Sequence, residues 1–104
     1  MPWIPVDVAA QQAGMTTGEL CAALGHDGAL YEEGRARTHW RDWRVRGVPP
    51  RGVPPMRYQV IDAAGPRWLI VDGWGWSKLV CALDLDDFEA WVCWRARRAL
   101  LGAP

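Results

Sequence analysis

The sequence predicts an α+β domain: two short N-terminal helices, a small three-stranded antiparallel sheet and a closing C-terminal helix. Three observations carry this reading. Residues 56–62, 67–72 and 77–83 are short runs rich in apolar and β-branched side chains, as strands require. The gaps between them, Ala63-Ala64-Gly65-Pro66 and Gly73-Trp74-Gly75-Trp76, are short enough to be hairpin connections. From about Asp86 onward, apolar residues recur at helical spacing, with acids at the start and arginines at the end, the polarity that a helix dipole favours.

The N-terminal pair follows from its punctuation. Pro5 can open a helix, Val6, Ala9, Ala10 and Ala13 fall on one face, and Gly14 supplies the stop. Thr16-Thr17-Gly18-Glu19 is a capping-box pattern ahead of Leu20-Cys21-Ala22-Ala23-Leu24, and Gly25 is the expected end of that helix. The two helices flank the turn Gly14-Met15-Thr16, which makes a helix-turn-helix arrangement. A chain of 104 residues is a common size for one domain. Its expected organisation is a helix-turn-helix over 1–27, an inserted Arg/Trp/Pro segment over 28–55, the sheet over 56–83 and the last helix over 84–104. Trp68, Ile70, Leu79, Cys81, Phe88 and Val92 are expected to share one core.

The stretch Val6-Asp7-Val8-Ala9-Ala10-Gln11-Gln12-Ala13-Gly14-Met15-Thr16 resembles the opening of the excisionase-like, MerR-like winged helix-turn-helix DNA-binding family. In that family a helix with paired alanines runs into Gly, an apolar residue and Ser or Thr. Asp87-Phe88-Glu89-Ala90-Trp91 is similar to the Asp-Leu-Glu-Ala-Trp with which the family often closes after its wing. The resemblance implies a winged-helix-like domain and a small DNA-binding, transcription-regulating protein of phage or mobile-element type. Two features depart from the pattern. Residues 28–55 intervene where the family passes quickly from helix to wing. The helix that would enter the major groove offers no Arg, Lys, Asn or Gln and carries Glu19, although base edges are read by such side chains.

The intervening segment has its own character. Thr38 can cap a short helix over 39–46 that sets Trp40 and Trp43 on one face and Arg37, Arg41 and Arg44 on another. Arg46-Gly47-Val48-Pro49-Pro50 is then repeated as Arg51-Gly52-Val53-Pro54-Pro55, an extended, stiff linker. Charge is segregated although the net charge is zero. Residues 1–34 carry five acids and no cation, residues 35–57 carry seven Arg against Asp42, and residues 58–94 carry six acids against Arg67 and Lys78. Such asymmetry points to a partner. The candidate binding residues are Arg35, Arg37, Trp40, Arg41, Trp43, Arg44, Arg46, Arg51 and Arg57. Two readings of the segment are open: a solvated basic lid whose indoles cover the sheet, or a surface that meets phosphates or an acidic protein.

Other chemistry is excluded by what the chain lacks. It has no phosphate-cradling glycine loop and no nucleophile motif, so no nucleotide cofactor and no enzyme are expected. Cys21, Cys81 and Cys93 lack paired spacing, which argues against a metal site and for reduced, buried thiols in a cytoplasmic protein. Asp84, Asp86 and Asp87 are explained as a helix start. No membrane span and no secretory leader are expected. Trp94, Leu100 and Leu101 could serve a homodimer through the C-terminal helix. DNA binding through the arginines is thus one functional expectation; a non-catalytic module docking on a host protein is the other, favoured by the excess of Trp and Arg.

Overall fold

The chain enters the fold as a strand, which local sequence patterns do not predict. In the computed structural model, which describes residues 2–31, 53–60, 65–71 and 77–102, β1 (Trp3–Pro5) pairs antiparallel with β6 (Ala82–Asp84), placing Ile4 opposite Leu83. Ile4 alone of the three is buried. Pro5, which donates no hydrogen bond, is tolerated because β1 is an edge strand. Helix α1 (Val6–Gln12) starts directly after it, and Val6, Ala9 and Ala10 form its buried face. Gly14, at φ 68°, then turns the chain in a conformation that side chains with a Cβ resist.

Helix α2 (Thr17–Asp27) begins with the expected capping box but runs past Gly25. The left-handed residue that ends it is Gly28, at φ 65°. Gly28 N–H donates to the Gly25 carbonyl and Ala29 N–H to that of Leu24, both at 3.2 Å, which satisfies carbonyls left open at a helix end. Gly25 lies buried inside the helix.

Among the described residues the expected three-stranded antiparallel sheet is instead two sheets. A four-stranded sheet has the order β1-β6-β3-β2, with β2 (Leu30–Tyr31) parallel to β3 (Met56–Gln59) and β3 antiparallel to β6. A separate antiparallel pair joins β4 (Trp68–Val71) to β5 (Ser77–Val80). The run expected as one strand over 77–83 therefore breaks at Cys81. The physical reason is visible in burial and hydrogen bonding. Val80, Cys81, Ala82 and Leu83 are all buried, which a straight strand with one solvent face does not allow. Cys81 N–H donates to the Gln59 carbonyl at 2.8 Å, its Sγ donates to the same oxygen at 3.1 Å, and its own carbonyl accepts from Val6 N–H. The chain thus changes sheets at Cys81, while these bonds tie the turning point to β3 and α1.

Helix α3 (Leu85–Leu100) is capped by Asp84, whose carboxylate accepts from Asp87 N–H at 2.9 Å. It buries Phe88 and Trp91, with Leu85, Val92 and Trp94 packed half-buried on the same core. Of the six expected core residues, Ile70 and Phe88 are central, Cys81 is buried, and Trp68 and Val92 pack from the side. Leu79 does not belong to it. The register pairs Leu79 with Leu69 and Val80 with Trp68, so Val80 turns inward and Leu79 outward. Cys93 is exposed and Cys21 intermediate, contrary to the expectation that all three thiols are buried. The expected helix over 39–46 and most of the Pro-Pro repeat lie outside the described residues, although Val53, near the repeat's end, is buried in the core.

One polar contact closes the fold. Asp27, 8% exposed, accepts through Oδ2 from Trp91 Nε1 at 3.0 Å and from Arg95 Nη1 at 2.9 Å. The Arg95 guanidinium also lies 5.1 Å from the Trp91 ring centre, within cation–π range. Asp27→Ala leaves the buried indole N–H without its acceptor and should cost about 2–3 kcal/mol, whereas Arg95→Ala, at a partly exposed site, should cost about 1 kcal/mol. Urea denaturation of both variants and of the double variant checks this through the coupling energy.

Candidate functional site

Of the nine candidate binding residues, Arg57 lies among the described residues. Arg35, Arg37, Trp40, Arg41, Trp43, Arg44, Arg46 and Arg51 lie outside them. Arg57, on β3, is held by the start of α3. Its backbone N–H donates to Asp87 Oδ2 at 2.9 Å, and its Nε donates to the same oxygen at 3.0 Å. Nη2 reaches Asp87 Oδ1 at 3.5 Å and sits 3.8 Å from Asp84 Oδ1. The hydrogen bond to Asp87, and then the charge of that carboxylate, push the guanidinium's pKa further up. Although its side chain is 47% exposed, Arg57 faces carboxylates, which serve the strand-to-helix junction and repel a phosphate. The same contacts account for Asp84 and Asp87. Among the described residues no cluster of His, Cys, Asp and Glu could hold a metal ion.

The α1-turn-α2 pair presents little to a major groove. The outward residues of α2 include Gly18, Glu19, Ala22 and His26. Glu19 is committed to the cap: its Oε1 accepts from Thr16 N–H at 3.0 Å, and its own N–H donates to Thr16 Oγ1 at 3.1 Å. Burial pushes the Cys21 thiol up, so it stays protonated at neutral pH and is a poor nucleophile.

The conspicuous surface of the described residues is apolar. On the outer face of the β4–β5 pair, Leu69 is 57%, Leu79 51% and Val71 48% exposed, and Val60 beyond the end of β3 is 42% exposed. Leu69 and Leu79 are direct cross-strand neighbours. Between this face and β3 runs an open groove of about 540 Å³, with Val60, Leu69 and Leu79 as its apolar lining. Tyr58, Ser77 and two cations, Arg67 and Lys78, complete it. The Lys78 ammonium lies 5.8 Å from the Tyr58 ring centre. The inner face of the same pair carries Trp68, Ile70 and Val80 towards the core. Both faces of the pair are thus mostly apolar, with Lys78 opposite Ile70 on the inner one and Ser77 opposite Val71 on the outer.

The sequence marks none of these residues as a binding candidate; Leu79 is expected there only as core. The signal was present, since Leu69-Ile70-Val71 and Leu79-Val80 are unbroken apolar runs where a half-solvated strand alternates. A second apolar group, Leu100 and Leu101, is 88% and 75% exposed at the end of α3, next to Trp94 and the Arg98 guanidinium stacked 4.9 Å from its ring centre.

No protein-family model, curated protein or solved structure matches this chain.

The cap has a pH signature. Hydrogen bonds from the Thr16 backbone and then its side chain hold the Glu19 carboxyl below its ordinary value of 4.5. A carboxylate with a depressed folded pKa stabilises above its unfolded pKa and loses that contribution as pH falls through the folded one. The stability advantage of the parent over Glu19→Gln should therefore be full at neutral pH and shrink once pH drops below 4.5. Thermal melts of the two proteins across that range measure it.

Proposed function

We propose that the chain is a non-catalytic protein-interaction module, a small regulatory domain that docks on another protein through the outer face of β4 and β5. The observation that carries this reading is the cross-strand pair Leu69 and Leu79, each more than half exposed on a sheet whose other face already fills the core. Contiguous exposed apolar surface beside polar residues is typical of interaction sites. The cross-strand contact of Leu69 and Leu79 contributes only about 0.2–1 kcal/mol to folding, a small reason to keep both positions apolar.

A second reading is supported by a different observation. The seven arginines of residues 35–57 against one acid, with the α1-turn-α2 arrangement and its paired alanines, favour a winged-helix-like DNA-binding protein of phage or mobile-element type. Phosphate contact would then come from the arginines of residues 35–51 and not from α2, with Arg57 held by its own carboxylates.

Two experiments separate these readings. In the first, tagged parent protein and the Leu69→Ser/Leu79→Ser variant are compared for co-purifying host proteins. A specific protein retained by the parent and lost with the variant is expected, with folding stability changed by no more than about 1 kcal/mol because both sites are half exposed. Identical captured sets would remove the docking reading. In the second, duplex DNA is titrated by fluorescence anisotropy at several salt concentrations. The DNA reading requires a log–log slope near about −4.5 for roughly five neutralised phosphates, made shallower by Arg41→Ala with Arg44→Ala. A duplex that stays unbound at low salt would sink it.

A further inference from the structure

Resting on the reading of the β4–β5 face as a docking surface, we infer that its partner presents an acidic amphipathic segment. Apolar side chains of that segment sit between Val60, Leu69 and Leu79, and its carboxylates meet Arg67 and Lys78. Charge placement decides the chemistry. Residues 58–94 hold six acids and two cations, and both cations line this one groove. Neither Arg67 nor Lys78 has a carboxylate partner among the described residues, whereas Arg57 and Arg95 elsewhere on the surface do. An acidic region that concentrates its two cations beside exposed leucines is complementary to a segment of the opposite charge.

The apolar lining argues against nucleic acid as the occupant. A phosphate placed against Val60, Leu69 and Leu79 loses hydration and gains no hydrogen bond from them. A groove of about 540 Å³ lies in the ordinary range for side chains or small ligands seated in a pocket. The leucines then contribute apolar area removed from water, and the cations supply selection and salt dependence.

The test is a selection of a random dodecapeptide library on the full-length parent, with the Leu69→Ser/Leu79→Ser variant as counter-target. Circular dichroism confirms that the variant is folded. Enriched peptides should combine apolar residues with a net negative charge. A representative synthetic peptide should bind Arg67→Glu/Lys78→Glu at least about fivefold more weakly than the parent, and high salt should weaken its binding to the parent. Enriched peptides that depend on the two leucines but are neutral or basic would overturn the acidic-partner inference and leave the docking surface standing. Failure to enrich any leucine-dependent peptide would overturn both. Two further probes, a labelled DNA duplex and phosphatidylserine-containing vesicles, are run on the same proteins. Binding of either that is lost in the leucine variant, with no acidic peptide selected, would replace the peptide by that partner.

Discussion

The carboxylate of Asp27 ties the N-terminal helix pair to the C-terminal helix. It sits at the last turn of α2, one residue before the left-handed Gly28, and takes hydrogen bonds from Trp91 and Arg95 of α3. A nearly buried carboxylate is costly unless its lone pairs are used, so α3 has to lie where an indole N–H and a guanidinium can both reach it. That requirement fixes which face of α3 turns inward. It also seats Trp91, the largest fully buried side chain among the described residues, whose burial contributes roughly 4–6 kcal/mol of transfer free energy. Once α3 is set, Asp84 and Asp87 at its start lie beside Arg57, and the central sheet is locked to the helix.

The second constraint is the break at Cys81. A continuous strand would have extended the central sheet and hidden one face of every strand. The chain instead leaves one sheet and enters the other while four consecutive residues stay buried. The β4–β5 pair consequently packs on the body by a single face, which Trp68, Ile70 and Val80 occupy. Leu69, Val71 and Leu79 are left outside. The exposed apolar face is therefore a consequence of topology, and a sequence that needed only to fold could place polar residues there. That these positions are Leu and Val, with Arg67 and Lys78 at hand, is what gives the surface a functional reading.

Local signals were legible wherever the physics is local. The capping box at Thr16 and Glu19, the helix stop at Gly14 and the acid-led start of the last helix all follow from neighbouring side chains and are present, and the strands expected over 67–72 and 77–83 do pair antiparallel, over Trp68–Val71 and Ser77–Val80. Longer-range features were not legible. Nothing near Trp3 announces that β1 pairs with residues 82–84, and nothing near Leu30 announces a parallel partner at Met56. The expected end of α2 at Gly25 failed because a buried glycine can continue a helix when the next one, Gly28, makes the left-handed turn better. The apolar surface on β4 and β5 was not legible for a related reason. Counting arginines finds charge, but it does not show that Arg57 spends its charge on Asp87 and Asp84, nor that the apolar runs on β4 and β5 face water.

The sequence by itself determined the class, α+β with a pair of helices near the N-terminus and a helix after the last strand, because capping, glycine placement and apolar period act over a few residues. It also determined the segregation of charge. Only the tertiary structure decided how the strands divide between two sheets, which leucines remain in solvent, and which of the described arginines are already neutralised. Those outcomes depend on pairings between residues far apart in the chain, such as Asp27 with Arg95 and Cys81 with Gln59. No single window of sequence holds both partners.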